Sequence, residues 1–412
     1  MKPCALIVAT MDTKARETLF LKECLESQDV DVMILDAGIK GGSPVPVDIT
    51  RDRVAASAGT SIAEVQGIRG EGVALNTMIR GAVKLAQALI DEGKIEGVIG
   101  LGGSMGTTLG TAVMRALPLG FPKVMVTTMA SRNTRPFVGT KDILMLHSVC
   151  DLAGLNKITR SVLTNGALAL AGMVTGKRAK QHLQTPGNIP TVAISTLGTT
   201  ERCVSLVREE LEQEGNEVVT FHTVGSGGQA MDEFIQEQDV KLVLEISLHE
   251  LADHRFGGDY DAGPNRAMAA LEKGVPAILV PGNIDFLVTG PLESAKKRFP
   301  GRPFHIHNSA ITVVRASAEE MKELARLLAD MAKRARGPVA FVIPLGGFSA
   351  FDSPNGPLED KGARHAFSEE LKSSLPPHIE LMESEYHIND TAFVSQLLGA
   401  ATKMICESGV TC

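Results

Sequence analysis

Val98-Ile99-Gly100-Leu101-Gly102-Gly103-Ser104-Met105-Gly106-Thr107-Thr108-Leu109-Gly110 runs from an apolar stretch through clustered glycines into hydroxyl residues. The apolar opening reads as a buried strand over Gly97–Leu101, and a helix is expected over Thr107–Leu117. Gly102 and Gly103 lack Cβ atoms, so the backbone can turn sharply and approach a ligand closely. The N–H groups that open the next helix have no intrahelical acceptor, and the helix dipole adds positive potential there. Ser104, Thr107 and Thr108 can cap that helix or donate to phosphate oxygens. Gly102, Gly103, Ser104, Met105, Gly106, Thr107 and Thr108 therefore form a candidate anion cradle. The alternative is a tight strand–helix turn that needs small residues for packing. No Gly-Lys-Ser/Thr closes the loop, so it is not a Walker loop, and the dinucleotide fingerprint fits loosely.

Outward from this loop, apolar runs alternate with amphipathic segments. Strands are expected at Ala5–Ala9, Val30–Leu35, Lys123–Thr127 and Ile143–His147, with helices at Lys14–Ser27, Arg51–Ala58, Glu71–Glu92 and Ile158–Val174. Continuous apolar runs spaced by helical periods predict a parallel sheet covered on both faces. In such sheets ligands sit outside the carboxyl ends of the strands, at the point where the strand order reverses. Thr10, Asp12, Thr13 and Lys14 follow the first strand, and Thr128, Ser131 and Arg132 follow a later one. Lys14 or Arg132 would neutralise phosphate, and Asp12 could hold magnesium through water. Plain helix capping is the other reading of Asp12 and Thr13.

The polar stretch Lys177–Pro190, ending in Thr185-Pro186-Gly187-Asn188-Ile189-Pro190, is the best linker candidate, and the 412-residue length favours two domains. These are an N-terminal nucleotide-binding subdomain over 1–184 and a C-terminal Rossmann-like subdomain over 191–412. Thr196-Leu197-Gly198-Thr199-Thr200-Glu201 aligns with Thr10-Met11-Asp12-Thr13-Lys14-Ala15, 186 positions earlier, and the same offset relates Val218–Phe221 to Val32–Leu35 and Gly227-Gly228 to Gly41-Gly42. Two related halves or generic strand–helix similarity would both give this pattern. The fold class expected is α/β, with two Rossmann-like three-layer subdomains and mostly parallel sheets.

Composition narrows the function classes. Charged residues make up 22% and the net charge is −7, with no cationic cluster longer than Lys296-Lys297-Arg298, so nucleic-acid binding is not expected. No apolar run approaches a membrane span, and Met1–Thr10 reads as a first strand rather than a signal sequence. Six scattered cysteines without a Cys-x-x-Cys pair argue against a zinc site or a disulfide framework and fit a cytoplasmic protein.

The second half also places polar residues after its strands. Ser247-Leu248-His249-Glu250-Leu251-Ala252-Asp253-His254 tempts a zinc-protease reading. His254, however, is five residues after His249, which on a helix separates the imidazoles by about 140°. Glu250, Asp285, His307, Asp352 and His387 are the candidate acid/base groups or hard-metal ligands. Each alone reads more readily as structural than as catalytic, and no metal site is assigned.

Ala9–Lys14, Gly102–Thr108, Asp261-Ala262-Gly263-Pro264-Asn265-Arg266, Phe304–Asn308 and His387-Ile388-Asn389-Asp390 together resemble an uncharacterised protein family of bacteria, fungi and plants. It is typified by the N-terminal ATP-binding domain of a plant resistance protein against tomato mosaic virus. The resemblance covers essentially the whole chain. It implies two Rossmann-like subdomains, ATP as ligand, with Mg2+ as an optional companion, and a homodimer or higher homo-oligomer. It establishes no reaction. The function expected is nucleotide binding, with an enzyme acting on a small phosphorylated or carboxylated metabolite in an interdomain cleft as the first reading. A non-catalytic nucleotide-sensing module and a hydrolase that does not consume ATP are the alternatives.

Overall fold

The structure is a computed structural model that describes residues 2–180 and 189–407. The chain divides into two compact units, Met1–Gln184 and Thr185–Cys412. Of the expected linker Lys177–Pro190, Lys177–Lys180 is instead the end of a helix, and residues 181–188 lie outside the described residues.

Unit 1 is built from β1 (Cys4–Ala9), α1 (Met11–Glu26), β2 (Asp31–Asp36), α2 (Arg51–Ser57), α3 (Ile62–Gly67) and α4 (Glu71–Asp91). It continues with β3 (Gly97–Gly102), α5 (Ser104–Arg115), β4 (Lys123–Thr127), a 3-10 turn (Thr128–Ser131), α6 (Arg135–Val138), β5 (Leu144–His147) and α7 (Lys157–Lys180). The five strands lie parallel in the order β2-β1-β3-β4-β5. Leu6, Val8, Val98 and Met125 face one way, onto α2, α4 and α5, while Ile7, Ile99, Val124 and Val126 face the other, onto α1 and α7. This period-2 split of uninterrupted apolar strands is what a sheet buried on both faces requires. α5 starts three residues earlier than the sequence suggests. Gly, Ser and Thr are weak helix formers, and only the packing of Gly106 under Leu101 shows that the turn is already helical.

Unit 2 repeats the plan with β6 (Thr191–Thr196), α8 (Glu201–Gln213), β7 (Glu217–His222), α9 (Ser226–Glu237), β8 (Leu242–Glu245), α10 (His249–Phe256), α11 (Ala269–Lys273) and β9 (Ala277–Leu279). An excursion follows through β10 (Phe286–Thr289), α12 (Leu292–Arg298), β11 (Phe304–Ile306) and β12 (Thr312–Arg315). Then come α13 (Ala318–Ala332), β13 (Val339–Pro344), α14 (Lys361–Ser374), β14 (Glu380–Ser384) and α15 (Thr391–Glu407). The main sheet is parallel, in the order β14-β13-β9-β8-β6-β7. Its first helix α8 and last helix α15 share one face, as α1 and α7 do in unit 1. The offset of 186 seen in the sequence carries β2 onto β7 residue for residue, while the pairing of β6 with β7 is displaced by one residue from that of β1 with β2.

The excursion forms a small antiparallel sheet, β10-β12-β11, which the sequence reading did not foresee. Phe304–Ile306 is its edge strand β11. Both units are three-layer α/β folds with the strand order reversing between β1 and β3 in one and between β6 and β8 in the other. Among the described residues, no helix is long and apolar enough to cross a membrane. Cys4, Cys24, Cys150 and Cys203 are free, and Cys406 is disulfide-bonded.

Candidate functional site

In unit 1 the polar strand ends converge where β1 and β3 lie side by side. The glycines of the loop divide into two kinds. A Cβ on Gly102, whose φ is +152°, would fall 3.0 Å from Gly106 Cα, and one on Gly106 would fall 2.8 Å from the Leu101 carbonyl oxygen. Those two are demanded by packing. A Cβ on Gly103 would meet only Thr128 Oγ1, at 3.9 Å. Packing does not require a glycine there, but a ligand approaching the backbone would. Gly103 also has no side chain with which to cap α5, so the first N–H groups of that helix have no side-chain acceptor.

The side chains around the loop separate in the same way. Thr107 is fully buried: its hydroxyl donates to the Gly103 carbonyl at 2.7 Å and lies 2.5 Å from Thr127 Oγ1, latching the start of α5 to the end of β4. Thr108 Oγ1 donates to the Ser104 carbonyl at 2.9 Å. Ser104 and Met105 are exposed at the mouth of the loop, with Thr128 beside it. Ser131 and Arg132 are exposed on the neighbouring turn, and the Arg132 guanidinium has no partner among the described residues.

Other expected ligand groups are already engaged. Lys14 Nζ donates to the Leu152 carbonyl at 2.5 Å. Asp12 Oδ2 accepts from the Lys40 and Gly41 N–H groups at 3.0 and 3.2 Å, so it anchors the loop after β2. Thr10 and Thr13 pair through their hydroxyls at 3.0 Å. Sequence reasoning missed Asp36, which ends β2 and accepts from the Met11 and Gly38 N–H groups. Burial raises its pKa, with the neighbouring Asp12 charge adding to the shift. An acidic residue at this position reaches a ribose in dinucleotide-binding folds, but Asp36 is turned inward and spent on backbone. Its signal was the charge closing an apolar run, Val32-Met33-Ile34-Leu35-Asp36.

In unit 2 most of the expected acid/base groups are internal struts. Glu250 accepts from the Gly225 and Gly228 N–H groups at 2.6 and 3.2 Å and from Arg266 Nε at 2.5 Å. Arg266, itself fully buried, forks onto both oxygens of Glu245 at 2.6 and 2.7 Å. Burial works against the Arg266 charge, but Glu245, Glu250 and Asp232 overcome it and hold its pKa well above the ordinary value. Asp285 and Asp352 come together around Arg315, at 3.3 and 3.7 Å, and Arg364 adds a 2.6 Å bond to Asp352. Burial raises both carboxyls. His387 uses both ring nitrogens, Nε2 with the Ser349 carbonyl at 2.9 Å and Nδ1 with the Asn389 N–H at 3.0 Å. Ser349 ties three of them into one cluster, its hydroxyl donating to Asp285 Oδ2 and accepting from the Asp352 N–H and its carbonyl meeting His387, while Glu250 stands apart with Arg266. Of their oxygens, Asp285 Oδ1 is left buried without a partner among the described residues.

His307 is placed differently. It lines a cavity of about 390 Å³ at the carboxyl end of β6, roofed by the antiparallel excursion. Thr199, His222 and Tyr260 are its other polar lining residues. Thr199 is fixed from behind: its hydroxyl donates to Asn283 Oδ1 at 2.5 Å, and Asn283 Nδ2 donates to Ser247 Oγ at 2.8 Å. His249 and His254 do not converge. His249 is wholly buried behind the cavity, while His254 is exposed and pairs with Asp261. No group of three or more metal-ligating side chains occurs among the described residues.

The molecule is therefore a tandem of two Rossmann-like α/β units, with an open glycine-rich strand–helix turn in the first and a largely apolar cavity in the second. The chain belongs to the Uncharacterised protein family (UPF0261): the N-terminal domain of that family matches residues 3–179 and the C-terminal domain residues 189–405. A UPF0261 protein of Clostridium tetani is 35% identical over 404 residues, covering 97% of this chain and 98% of that one. The tomato (Solanum lycopersicum) ToMV resistance protein Tm-1(GCR237) is 32% identical over 415 residues, covering 96% of this chain and 55% of that protein. Among solved structures, the UDP-GlcNAc 2-epimerase of Neisseria meningitidis aligns over 90% of this chain and all of its own, at 10% identity and a TM-score of 0.23. A likeness that loose carries no argument about ligand or reaction.

Proposed function

We propose that unit 1 binds the phosphates of a nucleotide, with ATP as the ligand the family resemblance implies. The observation that supports this reading best is Gly103, a glycine that packing does not need, standing at the uncapped start of α5. The backbone from Gly103 to Gly106 and the hydroxyls of Ser104, Thr128 and Ser131 would hold phosphate oxygens, and Arg132 would supply the cation expected of Lys14. Asp12 is held by two N–H groups, so magnesium would arrive with the nucleotide rather than wait on that carboxylate.

One observation favours binding without turnover as a second reading. Of the five residues expected to do acid/base work, His307 lines the cavity, while Glu250, Asp285, Asp352 and His387 are bonded within the fold, Asp285 through Oδ2. Phosphate release from ATP and magnesium, with and without candidate sugar acids, separates an enzyme from a sensor.

The binding claim itself is tested by equilibrium dialysis of ATP with magnesium. Gly103→Val is expected to weaken binding by at least about tenfold, roughly 1.4 kcal/mol, with the circular dichroism unchanged. Gly102→Val, in contrast, is expected to damage the fold. Unaltered affinity in Gly103→Val would make the loop purely structural, and a parent protein that does not bind ATP would sink the proposal.

A further inference from the structure

The cavity of unit 2 has a composition that selects its occupant. Its walls are Leu197, Val288, Ile311 and Val313 with the rings of Phe286 and Phe351, and none of its lining residues is Lys, Arg, Asp or Glu. A triphosphate would find no cation there. The aromatic groups form one connected set: Phe286 meets Phe351 edge-on with centroids 5.4 Å apart, and His305 and His307 lie 4.9 and 6.4 Å from the Phe351 ring. Such an arrangement offers faces and edges to a flat ring. At about 390 Å³ the space is at the small end of ligand pockets.

The polar groups are few and placed on the rim. His222 ends β7 and His307 follows β11, and both imidazoles are exposed. Each can donate a hydrogen bond to an anionic oxygen. The Thr199 hydroxyl, already donating to Asn283, is left as an acceptor. The position agrees with the rule for open parallel sheets, since β6 and β8 flank the point where the strand order reverses. A second, independent sign lies behind the wall. His249 is fully buried, packs on Tyr260 and Phe286 at 5.7 and 6.0 Å, and has no hydrogen-bond partner on either ring nitrogen. A buried imidazole with no side-chain or backbone partner, set against two lining rings, is costly to the fold, and such costs concentrate at functional sites.

We infer that this cavity is a binding site for a small aromatic carboxylate, its ring held among Phe286, Phe351 and Tyr260 and its acid group received by His222 and His307. The site is complete within unit 2 and does not depend on nucleotide binding by unit 1.

The test is equilibrium dialysis of the full chain with radiolabelled benzoate, with cyclohexanecarboxylate and inorganic phosphate as competitors. Saturable binding of one benzoate per chain is expected, displaced weakly by cyclohexanecarboxylate and not by phosphate. The double variant His222→Ala, His307→Ala should weaken it by about tenfold. Gly198→Phe should abolish it, because Gly198 lines the cavity and a Cβ there meets no atom within 4 Å, so the new ring enters free space without disturbing the backbone. The urea transition of each variant, followed by tyrosine fluorescence, confirms that unit 2 is folded. Absence of saturable benzoate binding overturns the inference, as does binding that survives Gly198→Phe. Equal displacement by cyclohexanecarboxylate overturns the aromatic assignment, and equal displacement by phosphate overturns the carboxylate one.

Discussion

Replacing His249 by leucine should change how the stability of unit 2 depends on pH. The side chain is wholly buried, both ring nitrogens lack partners, and burial, with Arg266 and His222 adding like charge, pushes its pKa from 6.5 down to about 3. A base whose folded pKa is depressed stabilises the fold fully above its unfolded pKa, and that stability drains away as pH falls toward the folded value. From pH 6.5 down to pH 5 is about one and a half units, so the parent should lose about 2 kcal/mol that the leucine variant keeps. At pH 7 the imidazole is neutral, and removing two unsatisfied polar atoms should leave the variant within about 1 kcal/mol of the parent or above it. Asp253, raised to about 8 by burial, and Asp285, also raised by burial, act with the opposite sign. Both are present in parent and variant, so they cancel in the difference. The chain offers a clean probe: it has no Trp, and its two tyrosines, Tyr260 and Tyr386, both belong to unit 2. Urea titrations by tyrosine fluorescence at pH 7 and pH 5 therefore report that unit alone. Parallel curves, with the same gap at both pH values, would refute a buried neutral His249. A loss of about 3 kcal/mol or more at pH 7 would show that the imidazole is hydrogen-bonded after all, through water.

Two further outcomes follow from the same packing. Arg266→Leu strands Glu245 and Glu250 without their counter-ion and should cost about 3–5 kcal/mol in the same urea assay; a cost under about 1 kcal/mol would mean the cluster is hydrated. Val149, 67% exposed, has a φ of +65°, which a β-branched residue tolerates poorly, so Val149→Gly should slow amide exchange of unit 1 by relieving about 1 kcal/mol of strain. Faster exchange in that variant would show that the added backbone freedom of glycine outweighs the strain.

The strands were legible because a sheet covered on both faces needs uninterrupted apolar runs, and Ala5–Ala9, Lys123–Thr127 and Val339–Ile343 supply them. The antiparallel excursion was not. Phe304-His305-Ile306-His307 does alternate with a strand period, but half of its alternation is histidine, which a hydrophobicity reading scores as loop. The site residues divide by range. Gly102–Gly106 is a local motif whose geometry follows from its own sequence. The pairing of Asp285 with Asp352 around Arg315, or of Glu250 with Arg266, joins residues far apart in the chain, and no spacing rule announces it. A carboxylate after a strand looks the same in sequence whether it faces a ligand or a buried guanidinium.

The two units share a topology but differ at equivalent strand ends, and the difference explains why the first has an open glycine turn and the second a cavity. In unit 1 the strand beside β1 ends in Gly102-Gly103, and the start of α5 is open. In unit 2 the strand beside β6 ends in Glu245-Ile246-Ser247-Leu248, and α10 opens with His249 and Glu250, all buried. Gly228, where a Cβ would fall 1.9 Å from Glu250 Oε2, and Arg266 complete a plug over that helix start. The plug leaves no room for phosphate, and its carboxylates would repel one. The available space in unit 2 is displaced to the β6 end, where the excursion between β9 and α13 builds apolar walls that unit 1 lacks. A common fold fixes where the strands end. The residues filling those ends decide what space is left there: exposed backbone at Gly103 in the first half, and in the second a walled apolar cavity rimmed by His222 and His307.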